Sequence, residues 1–255
     1  MKFILRFLQV IYSVYAFLLF VLLMLIVFPF AFIASFWGKM KGGNFIYNLS
    51  RLWADIWMFM IGIHHQNIFL TPLDNNKQYI FVANHISYLD VPSILKSIRH
   101  QRFRALGKHE MKRIPIFGFI YQNGAVMVDR SNADNRANSV RILKSVLQKG
   151  ISIFIYPEGT FNETNDALKD FYDGAFRIAI ETQTPIKPIL FLDTYDRLNH
   201  KSIFSLTPGK NRAIFLDEVK TEGLALSDLP ALKNKVYEYM EYMLYEYHAS
   251  WIKSM

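Results

Sequence analysis

The chain has 255 residues, 52% of them hydrophobic, a formal net charge of +8 and no cysteine. That length allows one large domain or two small ones with a real core. The lack of cysteine excludes a disulfide framework, a thiolate zinc site and a cysteine nucleophile. A basic balance suits nucleic acid, anionic lipid or a phosphorylated substrate, but there is no zinc-finger spacing, zipper heptad or aromatic RNA-binding signature, so nucleic acid is not an expected partner.

The hydrophobic excess is concentrated near the start. Phe7 to Trp37 contains no Asp, Glu, Lys or Arg. As a helix, Phe7 to Phe28 would be about 33 Å long, against a hydrocarbon core of about 30 Å. Pro29 is expected to kink or end this helix. Lys2 and Arg6 precede it and Lys39 and Lys41 follow it, so charge sets no orientation. The run exceeds a signal-peptide core and no small-x-small site follows, which argues against cleavage. A second apolar stretch, Leu52 to Ile63, is interrupted by Asp55 and carries Trp53, Trp57 and Met58. It suits a helix at the lipid interface. Two arrangements are compatible with the pair: a hairpin dipping into one leaflet, or one span plus an interfacial helix. Residues 1–66 are therefore expected to anchor the chain to a membrane, and residues 67–255 to form the second domain.

After Gln66, short apolar runs alternate with helical patterns. The strand candidates are Tyr79 to Ala83, Phe103 to Leu106, Ala125 to Val128, Ile151 to Tyr156, Ile186 to Phe191 and Arg212 to Leu216. The helix candidates are Val91 to Ile98, Ile116 to Gln122, Ala133 to Gln148 and Gly174 to Thr182. This alternation predicts an α/β domain with a mostly parallel or mixed sheet covered by helices. Leu232 to Trp251 is helical by pattern, with Val236, Met240, Met243, Leu244, Tyr247 and Trp251 on one side. Such a stripe is expected to pack on the sheet.

Just past the first strand candidate stands Asn84-His85-Ile86-Ser87-Tyr88-Leu89-Asp90. In a chain with 7 His and 12 Asp, chance supplies about 0.3 such His-x4-Asp pairs, so the pair alone is weak. Three other stretches give it context: Gly124 to Arg130, a strand ending in a cation; Tyr156-Pro157-Glu158-Gly159-Thr160, past another strand; and Thr184 to Ile189, a strand starting between prolines. Ligands of open α/β sheets gather outside the carboxyl ends of the strands. One rim would then hold His85, Asp90, Arg130 and Glu158.

Taken in order, Asn84-His85-x4-Asp90, Gly124-x5-Arg130, Pro157-Glu158-Gly159-Thr160 and Pro185-Ile186-x-Pro188 resemble the four blocks of the glycerolipid acyltransferases. The 1-acylglycerol-3-phosphate acyltransferases are the closest branch. Lys108-x-Glu110-x3-Ile114-Pro115-x2-Gly118 also resembles that branch, and the likeness runs from about Gln78 to Phe191. Two positions depart: Phe161 stands where Arg usually follows Glu-Gly-Thr, and Tyr172 where a Lys is usual.

The resemblance implies acyl transfer from a thioester, acyl-CoA or acyl carrier protein, to the free hydroxyl of 1-acylglycerol-3-phosphate, giving phosphatidic acid. His85 would act as general base, since histidine titrates near working pH, and Asp90 would hold its tautomer. The five-residue spacing works if His85 sits in the loop and Asp90 opens the next helix. Arg130 would grip an anionic head group, with Lys108, Lys112 and Lys169 as further candidates. Glu158, Gly159 and Thr160 would shape the acceptor pocket. Without the other blocks, His85 reads as a strand-end histidine bonded to a carbonyl, Arg130 as a surface ion pair and Glu158 as a carboxylate held by loop amides. No cofactor or metal is expected: His109-Glu110 lacks a second histidine at ligand spacing, and His64-His65 reads as a surface pair. Two alternatives stand beside this reading. One is acylation of another lyso-lipid, a lysophospholipid or lyso-aminolipid. The other is a non-catalytic, membrane-anchored lipid-binding protein. Either thioester donor implies a site facing the cytoplasm, on a cytoplasmic membrane.

Overall fold

The computed structural model describes residues 2–128 and 133–252. Two long helices come first: α1 (Lys2–Ser35) and α2 (Gly38–Met60). They run antiparallel, since Ala34 meets Gly42 while Trp57 Nε1 donates to the Ala16 carbonyl at 2.9 Å. Their close approach rests on Gly42, where a Cβ would lie 2.0 Å from the Ala34 carbonyl oxygen. Ala16, Leu19, Met24, Val27, Ala31 and Ala34 form the buried stripe of α1, at helical spacing. Phe20 packs edge-on against the stacked Trp53 and Trp57.

Pro29 does not end α1, which continues to Ser35. Pro29 faces outward, and Ala31 and Ala34 pack on α2 just beyond it. That packing replaces the support lost with the proline N–H. Nor does α2 start near Leu52. It begins at Gly38, through a polar, glycine-containing stretch that carries little helical signal.

Seven strands follow: β1 (Ile63–Phe69), β2 (Ile80–Ala83), β3 (Phe103–Lys108), β4 (Val126–Val128), β5 (Ser152–Ile155), β6 (Ile186–Phe191) and β7 (Gly209–Phe215). They form one sheet in the order β1-β7-β6-β2-β5-β3-β4. Only the β6–β7 pair is antiparallel. Strands β2, β5 and β6 are buried at every residue, as interior strands of a covered parallel sheet should be. Strand β1 was not expected. It lies at the sheet edge, and its polar His64, His65, Gln66 and Asn67 hide the apolar pattern.

Helices α3 (Asp90–Ser97), α4 (Phe117–Gly124), α5 (Ala133–Leu147), α6 (Gly174–Thr182), a short α7 (Thr194–Arg197) and α8 (Leu229–Glu246) complete the order. Ile80 and Val82 of β2 face a core shared with α5, α6 and α8, while Phe81 and Ala83 face Tyr47 of α2 and Ile94 of α3. The apolar stripe Val236, Met240 and Leu244 of α8 lies in the first of these cores.

His65 is not a surface residue. Its Nδ1 accepts from Asn211 Nδ2 at 3.1 Å and its Nε2 lies 2.9 Å from Asn67 Oδ1. Burial pushes its pKa down to about 4, which suits a neutral ring. Asn211 also donates to Ser93 Oγ at 2.8 Å, so this network ties β1 and β7 to α3.

Gly42→Val is expected to destabilise the chain by about 1–3 kcal/mol, as overpacking does. Gly174→Ala, where a Cβ meets nothing within 4 Å, should stay within about 0.5 kcal/mol. Thermal unfolding in detergent compares the two, and equal stability would contradict the packing.

Candidate active site

Parallel pairing aims the carboxyl ends of β2, β5, β3, β4 and β6 at one edge of the sheet. Asn84 fixes the exit of β2 there: its Nδ2 donates to the Phe191 carbonyl at 3.0 Å, and Phe191 N–H donates to its Oδ1 at 2.8 Å. The chain then turns through His85 and enters α3 at Asp90, the arrangement that the five-residue spacing requires.

Asp90 is fully buried. Its Oδ2 accepts from Ile86 N–H at 2.8 Å, Ser87 N–H at 2.9 Å and His85 Nδ1 at 2.9 Å. A carboxylate can only accept, so His85 carries its proton on Nδ1 and presents the Nε2 lone pair. The first turn of α3 adds a favourable field for the negative charge.

Aromatic rings hold the imidazole. Tyr156 stacks on one face with centroids 3.8 Å apart and planes at 9°. Phe161 leans on it at 4.3 Å, braced by Tyr88 at 4.9 Å. The His85 side chain keeps 15% of its surface exposed. Aromatic faces attract positive charge, so the shelf favours an imidazolium once formed. Burial and the Asp90 charge raise the Tyr156 phenol well above its ordinary value, keeping it neutral.

Glu158 is buried too, and both its oxygens are taken by loop amides. Oε1 accepts from His85 N–H at 2.8 Å and Oε2 from Lys169 N–H at 2.9 Å. Burial pushes its pKa up to about 7 against the pull of these bonds. Glu158 thus clamps the 157–169 loop to the loop carrying His85, and Asn162 N–H adds a 2.6 Å bond to the His85 carbonyl. Gly159 takes a positive φ of 73°, which a glycine allows without strain. Thr160 Oγ1 accepts from Lys169 Nζ at 2.8 Å, so a cation stands beside the loop. Lys108 is exposed at the end of β3, two strands from β2. Arg130 lies outside the described residues. Among the described residues no group of three or more His, Cys, Asp or Glu could hold a metal.

Tyr156 and Phe161 as supports for the imidazole were missed by the sequence reading. Tyr156 had one signal, as the last residue of the apolar run before Pro157.

Residues 63–192, about half of the chain, match the Acyltransferase family model, and the chain belongs to that family. Similar proteins include 1-acyl-sn-glycerol-3-phosphate acyltransferase alpha of Mus musculus, 29% identical over 62% of this chain and 55% of the relative. The beta form of Homo sapiens is 29% identical over 63% and 57%. The chain thus spans little more than half the length of these relatives. The crystal structure of the 1-acyl-sn-glycerophosphate (LPA) acyltransferase PlsC from Thermotoga maritima shares the fold, with a TM-score of 0.70 and 21% identity over 99% of this chain and 100% of that one.

The Glu158 geometry has a pH consequence. Its acid form is favoured in the fold, so its contribution to stability is complete below pH 4.5 and is lost as pH rises through about 7. The rise corresponds to about 3 kcal/mol. Glu158→Gln should remove this part of the pH dependence in denaturant unfolding between pH 4.5 and 8. An unchanged slope would contradict the burial argument.

Proposed function

We propose that the chain is a membrane-bound O-acyltransferase that moves a fatty acyl group from a thioester to a lyso-lipid hydroxyl. The observation that carries this reading is Asp90 Oδ2 with its three N–H donors, His85 Nδ1 among them. An alcohol is a weak nucleophile near pH 7, and a positioned base removes its proton as it attacks. The acceptor oxygen bonds to the thioester carbonyl carbon while its proton passes to His85 Nε2. The tetrahedral oxyanion collapses and expels the thiolate, which takes the proton back from the imidazolium. Products are an ester and a free thiol, and His85 ends neutral. The acceptor hydroxyl stands where serine stands in a catalytic triad, so no acyl-enzyme is required. This route uses no metal or bound cofactor. The donor is acyl-CoA or acyl carrier protein, either of which puts the site on the cytoplasmic side.

The relatives' names support 1-acylglycerol-3-phosphate, lysophosphatidic acid, as acceptor and phosphatidic acid as product. Lys108, Lys169 and Arg130 are the cations assigned to its phosphate, and Gly159 and Thr160 to the wall of the acceptor pocket. A second reading is an acceptor without that phosphate, a lysophospholipid or lyso-aminolipid. The observation favouring it is Phe161, an apolar ring 4.3 Å from the imidazole.

Membrane attachment is assigned to residues 1–66. Among the described residues, α1 alone is long and apolar enough to cross a bilayer. It is flanked by protein along its length, from Gln9 on Ser205 through Ala16 on Trp57 to Phe28 on Phe119. A spanning helix meets lipid on every side unless protein crosses beside it. Lys39, Lys41, Arg51 and Asp55 of α2 argue against a second crossing. Helix α1 exposes Phe3, Phe7, Ile11, Phe17, Leu25 and Phe30. These facts support a hairpin lying in one leaflet with those side chains in the hydrocarbon.

A panel of lyso-acceptors with labelled acyl donor tests the substrate. Turnover confined to phosphate-free acceptors would remove lysophosphatidic acid. His85→Ala should lower kcat by about 10²-fold or more, with Asp90→Asn also impaired and both variants folded. Undiminished turnover in His85→Ala would contradict base catalysis by His85, and no turnover of any acceptor by the unaltered chain would leave a non-catalytic lipid-binding role.

A further inference from the structure

The segment between β6 and β7 joins two places far apart in sequence. At one end it is fastened to the catalytic loop. Ser87 pairs with Asn199 in a β-bridge, Ser87 Oγ donates to the Leu198 carbonyl, and His200 Nδ1 lies 3.4 Å from the Ile86 carbonyl. At the other end it is fastened to α1. Gln9 Nε2 donates to the Ser205 carbonyl at 3.0 Å, and Leu206 N–H donates to Ser13 Oγ at 3.2 Å.

Between these ends the chain makes a closed turn. Ser205 Oγ donates to the Ser202 carbonyl at 2.6 Å and accepts from Asn199 N–H at 3.2 Å, and Lys201 N–H donates to Asn199 Oδ1 at 3.0 Å. Polar residues build the turn, yet its tip is Ile203 and Phe204, 58% and 43% exposed. A turn so well bonded inside has no need of two large apolar residues in water. They stand beside the first turns of α1, where Phe7, Leu8 and Ile11 are also exposed. Exposed Lys201 lies next to the tip, and exposed Arg6 bonds to Gln9 at the start of α1. Cations beside apolar side chains suit an anionic lipid interface.

We propose that Ile203 and Phe204 form a second lipid contact, inserted beside the start of α1, which seats the mouth of the His85 site at the bilayer surface. This rests on the reading of α1 as the membrane anchor. The occupant is the bilayer itself, because the tip is exposed and apolar, its neighbours Ser205 and Leu206 are bonded to the start of the anchor helix, and cations flank it. Through Ser87 and Ile86 the contact also holds the loop whose amides bind Asp90.

The chain has no cysteine, so Ile203→Cys gives one labelling site in the full chain. An environment-sensitive nitrobenzoxadiazole probe at 203 should shift to the blue on vesicles of phosphatidylcholine and phosphatidylglycerol, and doxyl-labelled lipid should quench it. The same probe at exposed Glu222 (Glu222→Cys), on the loop after β7, should stay aqueous. Ile203→Asp with Phe204→Asp should raise the vesicle concentration needed for half-maximal activity about tenfold or more. A chain that binds vesicles while the probe at 203 stays aqueous and unquenched overturns the proposal and leaves the α1 anchor standing. A chain that does not bind vesicles at all overturns the anchor first. A blue shift that needs no vesicles and grows with protein concentration assigns the tip to a second copy of the chain, and also overturns the proposal.

Discussion

One carboxylate oxygen organises the site. Asp90 Oδ2 gathers two backbone amides and the imidazole N–H within 2.9 Å. A buried charge is costly unless donors surround it, and here the donors belong to the loop that must be shaped. The same bonds therefore partly offset the cost of the buried charge, whose Oδ1 has no partner among the described residues, fold residues 84–90 and choose the tautomer of His85. The spacing follows from this. Three or four residues would put both groups on one helical face, whereas five let the chain turn around the carboxylate before α3 begins.

A second buried carboxylate has another task. Glu158 joins the His85 loop to the 157–169 loop, so two strand exits are tied together. The aromatic shelf of Tyr156 and Phe161 then limits how the ring can tilt. The two N-terminal helices share this frame. Arg51 of α2 donates to the Ile98 and Gln101 carbonyls, and Asp55 pairs with Lys96 and Arg99. These contacts pin the far end of α3, whose first residue is Asp90. The depth of His85 relative to the α1 face is thereby fixed by rigid elements.

Much of this was legible in the residues. The interior strands announce themselves as apolar runs, and the motif blocks at His85 and Glu158 fall just past strand ends. His85 and Asp90 meet as their spacing implies. Elements with mixed surroundings were not legible. Strand β1 is an edge strand with a polar network on one side, so its alternation is masked. The first half of α2 carries Gly42 where it approaches α1 and Gly43 where it approaches Asn123 and Arg104, and glycine erases the helical signal. Glu158 reads in sequence as a pocket residue, and only the positions of two amides reveal the clamp. Tyr156 and Phe161 touch His85 across a loop that no local period describes. The residues from 199 to 205 carry no periodicity at all, being shaped by side-chain bonds to their own backbone. Arg130, expected at the rim, lies outside the described residues.

The tautomer of His85 tests the account most directly. Nitrogen-15 spectra of the histidine side chains, assigned by loss of a signal in His85→Gln, should show a protonated Nδ1 and a bare Nε2 at neutral pH. Asp90→Asn should disturb that preference. A ring protonated on Nε2 with Nδ1 bare would mean that Asp90 does not orient it, and base catalysis by His85 would have to be abandoned.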